Sequence, residues 1–164
     1  MQKRLEELMS LVLEHMEAPT DDARVLIDEL DAELSGLYTP EQRHGLSIAR
    51  VFQPSVLFFI ARLDGEPVGC GGIAFEDGVA EVKRMYVRPQ ARGRNVGQAI
   101  LTRLEEESRA RDVSRLTLET GDAQHAAIRF YERAGFTRCA AFGVYATMPA
   151  RAIERSVFFE KRIG

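Results

Sequence analysis

Lys83, Arg84, Arg88, Arg92 and Arg94 lie between positions 83 and 94 with no acidic residue among them, in a chain whose formal net charge is −3. Basic charge gathered this locally suits a phosphate group better than a long polyanion. Gly93 and Gly97 lack a Cβ and let an anion's oxygens come close to the backbone. A strand feeding a helix through such a loop leaves the helix's first amides unpaired and aimed at one spot, where the helix dipole also favours negative charge. An ordinary strand-to-helix turn with solvated arginines is the competing reading of the same residues.

The flanking patterns set that loop in place. Residues 79–87 are rich in β-branched and apolar types, with Glu81 and Lys83 at alternate positions, which predicts a strand. Arg88-Pro89 ends it, because proline cannot continue a ladder and keeps the residue before it extended. From Asn95 the period changes to 3.6, with Val96, Ile100 and Leu104 in one stripe, so a helix follows.

Upstream, residues 56–63 and 67–75 read as strands joined by Asp64-Gly65, and Asp77-Gly78 turns the chain into residues 79–87. Antiparallel pairing is expected across both turns. Residues 1–18 support either a helix, on the stripe Leu5, Leu8, Met9, Val12, Leu13 and Met16, or a first strand over 10–17, and periodicity slightly favours the helix. Thr20 is expected to cap a helix carrying Leu26, Ile27, Leu30 and Leu34 and ending near Gly36. Its other side holds Asp28, Asp31 and Glu33, either a solvated face or a surface suited to a cationic amine. A loop or short helix runs from Thr39-Pro40 through His44 to Phe52.

Beyond residue 104, residues 115–120 alternate as a strand and Gly121-Asp122 is expected to cap a helix through Ala134. Gly135 ends that helix as a left-handed C-cap. Phe136 begins a strand, and SVFFEK, residues 156–161, is the last one. The fold class expected is α/β: a mixed, mostly antiparallel sheet flanked by helices on both faces, in a single domain over residues 1–164.

At 164 residues the chain can enclose one core. Its longest apolar run, residues 56–61, is far too short to cross a bilayer, and the N-terminal residues lack a signal-peptide layout, so no membrane is expected and the cytoplasm is the expected compartment. Cys70 and Cys139 have neither metal-ligand spacing nor the numbers of a disulfide framework, so no metal is expected. A sequence pI of about 5.7 disfavours nucleic acid as a partner.

Two segments, VRPQARGRNVG (residues 87–97) and AIRFYERAGF (residues 127–136), with a strand before the first and a strand and helix between them, resemble the GNAT superfamily of N-acetyltransferases. The first is similar to the acetyl-CoA pyrophosphate loop, in which Gln or Arg is followed after two residues by Gly and, one further on, by Gly or Ala. Asn95 stands where the first glycine usually falls. Asparagine is the side chain that best tolerates a left-handed backbone after glycine, so the loop can still close.

The resemblance implies acetyl transfer from acetyl-CoA to an amine by direct attack in a ternary complex. It implies that the backbone of Arg92, Gly93, Arg94, Asn95, Val96, Gly97 and Gln98 meets the pyrophosphate, with both arginines adding charge-assisted bonds. Met85, Tyr86 and Val87 would lie along the pantetheine arm as a strand edge. Gln124 takes the position of a family asparagine that faces the cofactor, or else serves the core or a helix cap. Glu81 matches a carboxylate base of some members, or is a strand carboxylate paired with Lys83 or Arg84. Tyr131 matches the tyrosine that donates toward the departing thiolate, or is a core tyrosine beside Phe130. Tyr38, His44 and Tyr145 are the candidates for the acceptor pocket. A homodimer is compatible with exposed strands near the C-terminus.

The chemistry makes demands on these groups. An amine of pKa about 10.4 costs about 4 to 5 kcal/mol to present unprotonated at neutral pH. A carboxylate base needs burial or a water chain to help it. A phenol near 10 is a weaker acid than a thiol near 8.5 by about 2 kcal/mol, which makes hydrogen-bond donation the sounder role for the tyrosine. Two other classes share some features: a non-catalytic acyl-CoA-binding regulatory module would keep the loop alone, and a Rossmann-type domain fits only half of the glycine pattern.

Overall fold

The fold is seen in a computed structural model that describes residues 11–164. Seven strands form one sheet in the order β1-β2-β3-β4-β5-β7-β6. They are β1 (Leu11–Met16), β2 (Val56–Leu63), β3 (Glu66–Glu76), β4 (Val79–Val87), β5 (Arg115–Gly121), β6 (Thr137–Arg138) and β7 (Ser156–Arg162). Every neighbouring pair is antiparallel except β4 and β5. The helices are α1 (Asp21–Ser35), α2 (Val96–Arg109), α3 (His125–Arg133) and the single-turn α4 (Ala150–Ile153).

The two Asp-Gly turns close as the residue types demand. Asp64 and Gly65 have φ of 52° and 84°, and Asp77 and Gly78 have 50° and 77°. Positive φ at both central residues matches the right-handed twist of the strands they join. Leu11–Met16 settles the ambiguous first segment as a strand on the edge of β2, against the slight helical preference; residues 1–10 lie outside the described residues. Pairing with an available sheet edge decides the matter, and Leu11, Leu13 and Met16 still pack into the two cores.

Side chains alternate between two cores. Phe58 and Ile60 of β2 pack with Leu26, Ile27 and Leu30 of α1, while Phe59 and Ala61 face the cluster built on Ile100, Leu101 and Leu104 of α2. The sheet is thus covered on both faces. Thr20 caps α1, its Oγ1 accepting from Ala23 N at 3.3 Å. Among the described residues no helix is long and apolar enough to cross a membrane.

Two local expectations need correcting. Gly121 ends β5 and Asp122 does not cap α3, which starts only at His125 with Gln124 in the cap position. The Asp122 carboxylate is taken instead by Arg155, at 2.8 Å, and an aspartate with an arginine partner is not free to serve helix amides. The strand expected from Phe136 shrinks to Thr137–Arg138 on the edge of β7. Gly135 does end α3 with φ of 96°.

Candidate active site

The site begins where β4 and β5 part. They pair only at Ala80↔Leu116 and Glu81↔Thr117, and beyond that point β4 runs on to Val87 with no β5 partner. A bulge lies at the same place: the β3–β4 register shifts between Cys70 and Gly72, and Arg84 takes a left-handed φ of 57°. A bulge puts two consecutive residues where one would sit and bends the strand. Its effect on this strand is to change the parity of the side chains. Val82 before it and Met85 after it belong with the α2 core, while Arg84 reaches Asp31 of α1 and Lys83 the His44 carbonyl.

Arg84 is held firmly. Its side chain is 3% exposed and its Nη2 donates to Asp31 Oδ1 at 2.6 Å. A non-glycine residue in the left-handed region costs about 1 to 2 kcal/mol, which the charge-assisted bond to α1 is of a size to offset.

Past the splay stands the loop. Its chain passes through Gly93 at φ 81° and Asn95 at φ 63° before α2 begins. A Cβ added at Gly93 would meet nothing within 4 Å, so the loop is open on that side. The bond from Ala99 N to Asn95 O, 3.0 Å, is the first of the helix. The amides of Val96, Gly97 and Gln98 therefore have no intrahelical acceptor and lie at the positive end of a 14-residue helix. A diphosphate fits that end. The Arg92 side chain, expected at the phosphate, turns away instead: Nε donates to Val87 O at 2.9 Å and Nη2 to Glu33 at 3.0 Å. Its share in the loop is its backbone.

Between the splayed strands and α1 lies a cavity of about 100 Å³, whose wall includes Tyr38, His44, Met85, Glu119, Gln124 and Tyr131. Glu119, on β5, was hidden in the sequence within a run that read only as an alternating strand. Burial pushes its carboxyl above the usual range, although Ser156 Oγ donates to Oε2 at 2.6 Å and His44 and Lys83 pull the other way. Tyr131 is 7% exposed, its ring packed edge-on against Phe136, and burial pushes its phenol upward.

Glu81 has a different setting. Its Oε2 accepts from Tyr145 Oη at 2.7 Å and meets Lys83 Nζ at 3.0 Å. Lys83 also donates to Tyr145 Oη at 2.8 Å and to the His44 carbonyl at 3.1 Å. Tyr145, 3% exposed, belongs to this network and not to the cavity wall. Tyr38 does line the cavity and accepts from Ala123 N at 3.0 Å; Gly121 leaves room for its ring, since a Cβ there would overlap it. His44 is fixed to Ala152 O at 2.8 Å. Of the acids on α1, Asp31 and Glu33 are taken by Arg84 and Arg92, and neither is in the cavity wall.

A parted pair of strands, an open crown of amides and a half-buried carboxylate near a phenol could together hold an acyl thioester and serve its transfer. Residues 16–136 match the profile of the acetyltransferase (GNAT) family. The chain belongs to that family, and it is an acyltransferase. The IAA acetyltransferase of Azospirillum brasilense is 44% identical over 148 residues, covering 88% of this chain and 94% of that protein. A Klebsiella pneumoniae protein described as an acyl-CoA N-acyltransferase has the same fold at TM-score 0.76 and 35% identity, covering 94% and 98% of the two chains. The PaiA N-acetyltransferase of Thermoplasma acidophilum, solved with coenzyme A, shares the fold at TM-score 0.66 and 17% identity, over 92% of this chain and 99% of its own.

Proposed function

We propose that this GNAT protein transfers the acetyl group of acetyl-CoA to an amine by direct attack in a ternary complex, with Glu119 as the proton acceptor and Tyr131 as the donor to the departing sulfur. The observation that carries the reading is the cavity wall at the splay, which brings Glu119 and Tyr131 together beyond the last β4–β5 pair. Acetyl-CoA supplies the reactive thioester. The loop amides of residues 93–98 bind its diphosphate, and the unpaired edge of Met85, Tyr86 and Val87 orients the pantetheine arm.

Glu119 suits the base because its burial lifts its proton affinity toward that of the amine it must deprotonate. Glu81 fits the part less well. Its Oε2 is already taken by an ammonium and a phenol, so its task is to hold Lys83 and Tyr145 in place. Tyr131 donates a hydrogen bond as charge builds on sulfur, and the upward push on its phenol argues against full proton transfer. No enzyme nucleophile is required; the Cys70 thiol, fully buried and pushed up to about 12, is unsuited to be one.

Calorimetric titration with acetyl-CoA, run beside a thiol-release assay on a panel of amines, tests this. Binding with amine-dependent thiol release is expected. Binding without release on any amine would leave only an acyl-CoA-binding module, and no binding would remove the reading altogether.

A further inference from the structure

The cavity wall contains two guanidinium groups, Arg43 and Arg84, and in both the Nε is buried with no hydrogen-bond partner among the described residues. A buried donor left unsatisfied is costly, and native structures rarely keep one without a use. Arg84 has an acid partner in Asp31, and Lys83 has one in Glu81. Arg43 forms no ion pair among the described residues.

The chain between α1 and β2 runs along the cavity beside Arg84. Arg43 and Gly45 both line the cavity, and a Cβ at position 45 would collide with Arg84 Nη1. A side chain at 45 would require that guanidinium to shift. Planar guanidinium groups favour carboxylates, which they can grip through two parallel bonds.

We propose that the acceptor is a small amino acid, its carboxylate held by Arg43 and Arg84 while its amine faces Glu119. The cavity's volume of about 100 Å³ is enough to admit part of a small molecule. This rests on the acetyltransferase reading above and names its substrate class. It also runs against the expectation of a cationic acceptor, since two of the three α1 acids that suggested one, Asp31 and Glu33, are paired with arginines.

The test is a thiol-release assay on the proteinogenic amino acids and their matching carboxamides, with acetyl-CoA at saturation. The best amino acid should exceed its own carboxamide in kcat/KM by about ten- to a hundredfold, the size of a lost charge-assisted bond. Arg43→Gln should remove most of that preference through KM, and Arg43→Lys should recover part of it; calorimetric titration with CoA reports that each variant is folded. Carboxamides used as well as the acids, or a preference unchanged in Arg43→Gln, would overturn the assignment while leaving acetyl transfer intact. CoA binding with no release on either set, beside release on another amine of the wider panel, would also overturn the assignment while leaving acetyl transfer intact.

Discussion

Lys83 and Glu81, two positions apart on β4, meet at 3.0 Å, and the Tyr145 hydroxyl bonds to both. That closed triangle separates two carboxylates that look alike in sequence. Glu81 is committed to it, whereas Glu119 faces the cavity.

Glu119→Gln should therefore lower kcat by about 10²- to 10⁴-fold, the usual worth of a positioned base, with CoA affinity unchanged. Glu81→Gln should act more mildly, by way of Lys83 and Tyr145. In the parent enzyme the acid limb of the kcat/KM profile should lie above the ordinary carboxylate value of 4.5, because burial raises Glu119 and only its ionised form accepts a proton. A profile that keeps its acid limb in Glu119→Gln and loses it in Glu81→Gln would return the role to Glu81.

The same shift has a consequence for stability. A carboxyl whose folded pKa is raised binds its proton more tightly in the native state, so stability falls as pH rises from the unfolded value through the folded one. At neutral pH the parent bears that cost and Glu119→Gln does not. The variant should melt at a higher temperature than the parent at pH 7, with the difference shrinking below pH 4; an equal or lower melting temperature at pH 7 counts against Glu119 being ionised at a cost.

Tyr131→Phe should bind CoA as the parent does and lose about 10²-fold in kcat, the scale of one transition-state donor. Its folding stability should stay within about 1 kcal/mol, since burial and the charge of Glu119, with no hydrogen bond, are what act on the hydroxyl. Unchanged turnover would place Tyr131 in the core alone.

Much of this architecture was legible in the residues. The bounds of β2 and β4 follow from the Asp-Gly turns, because positive φ at two successive positions is a demand few residues meet. The bulge was not legible, because Arg84 at φ 57° carries no mark in the sequence, and without it the parity of β4 does not bring Lys83 and Arg84 to one side. Glu119 and Arg43 were missed for a related reason. A strand glutamate and a loop arginine are ordinary until the sheet parts beside one and the loop carrying the other passes against Arg84 at Gly45.

Asn95 tests the loop itself. It holds φ at 63° with no side-chain cap bond, so the conformation and not the amide group is what the position needs. Asn95→Gly should keep or tighten CoA binding. Asn95→Val should lose about 1 to 2 kcal/mol of stability and weaken CoA binding about tenfold or more, since a β-branched side chain opposes the left-handed backbone. Equal CoA affinity in the two variants would show that the loop amides do not grip the diphosphate.

The tether from α1 to β4 should respond to acid in the sense opposite to Glu119. Glu29 accepts from Arg88 Nη2 at 2.7 Å and Nε at 3.0 Å, and from Tyr86 Oη at 3.1 Å. The Arg88 bonds hold its carboxyl below the usual range, outweighing partial burial. A depressed folded pKa gives stability that is full above the unfolded value and is lost as pH falls through the folded one. Glu29→Gln should thus melt below the parent at pH 7, by about 1 kcal/mol for charge-assisted bonds that are partly exposed. The two curves should converge toward pH 2 as the parent's own carboxylate takes up its proton. A gap that stays constant from pH 7 to pH 2 would mean that Glu29 serves by packing, and that its charge does not anchor the strand that carries Met85, Tyr86 and Val87.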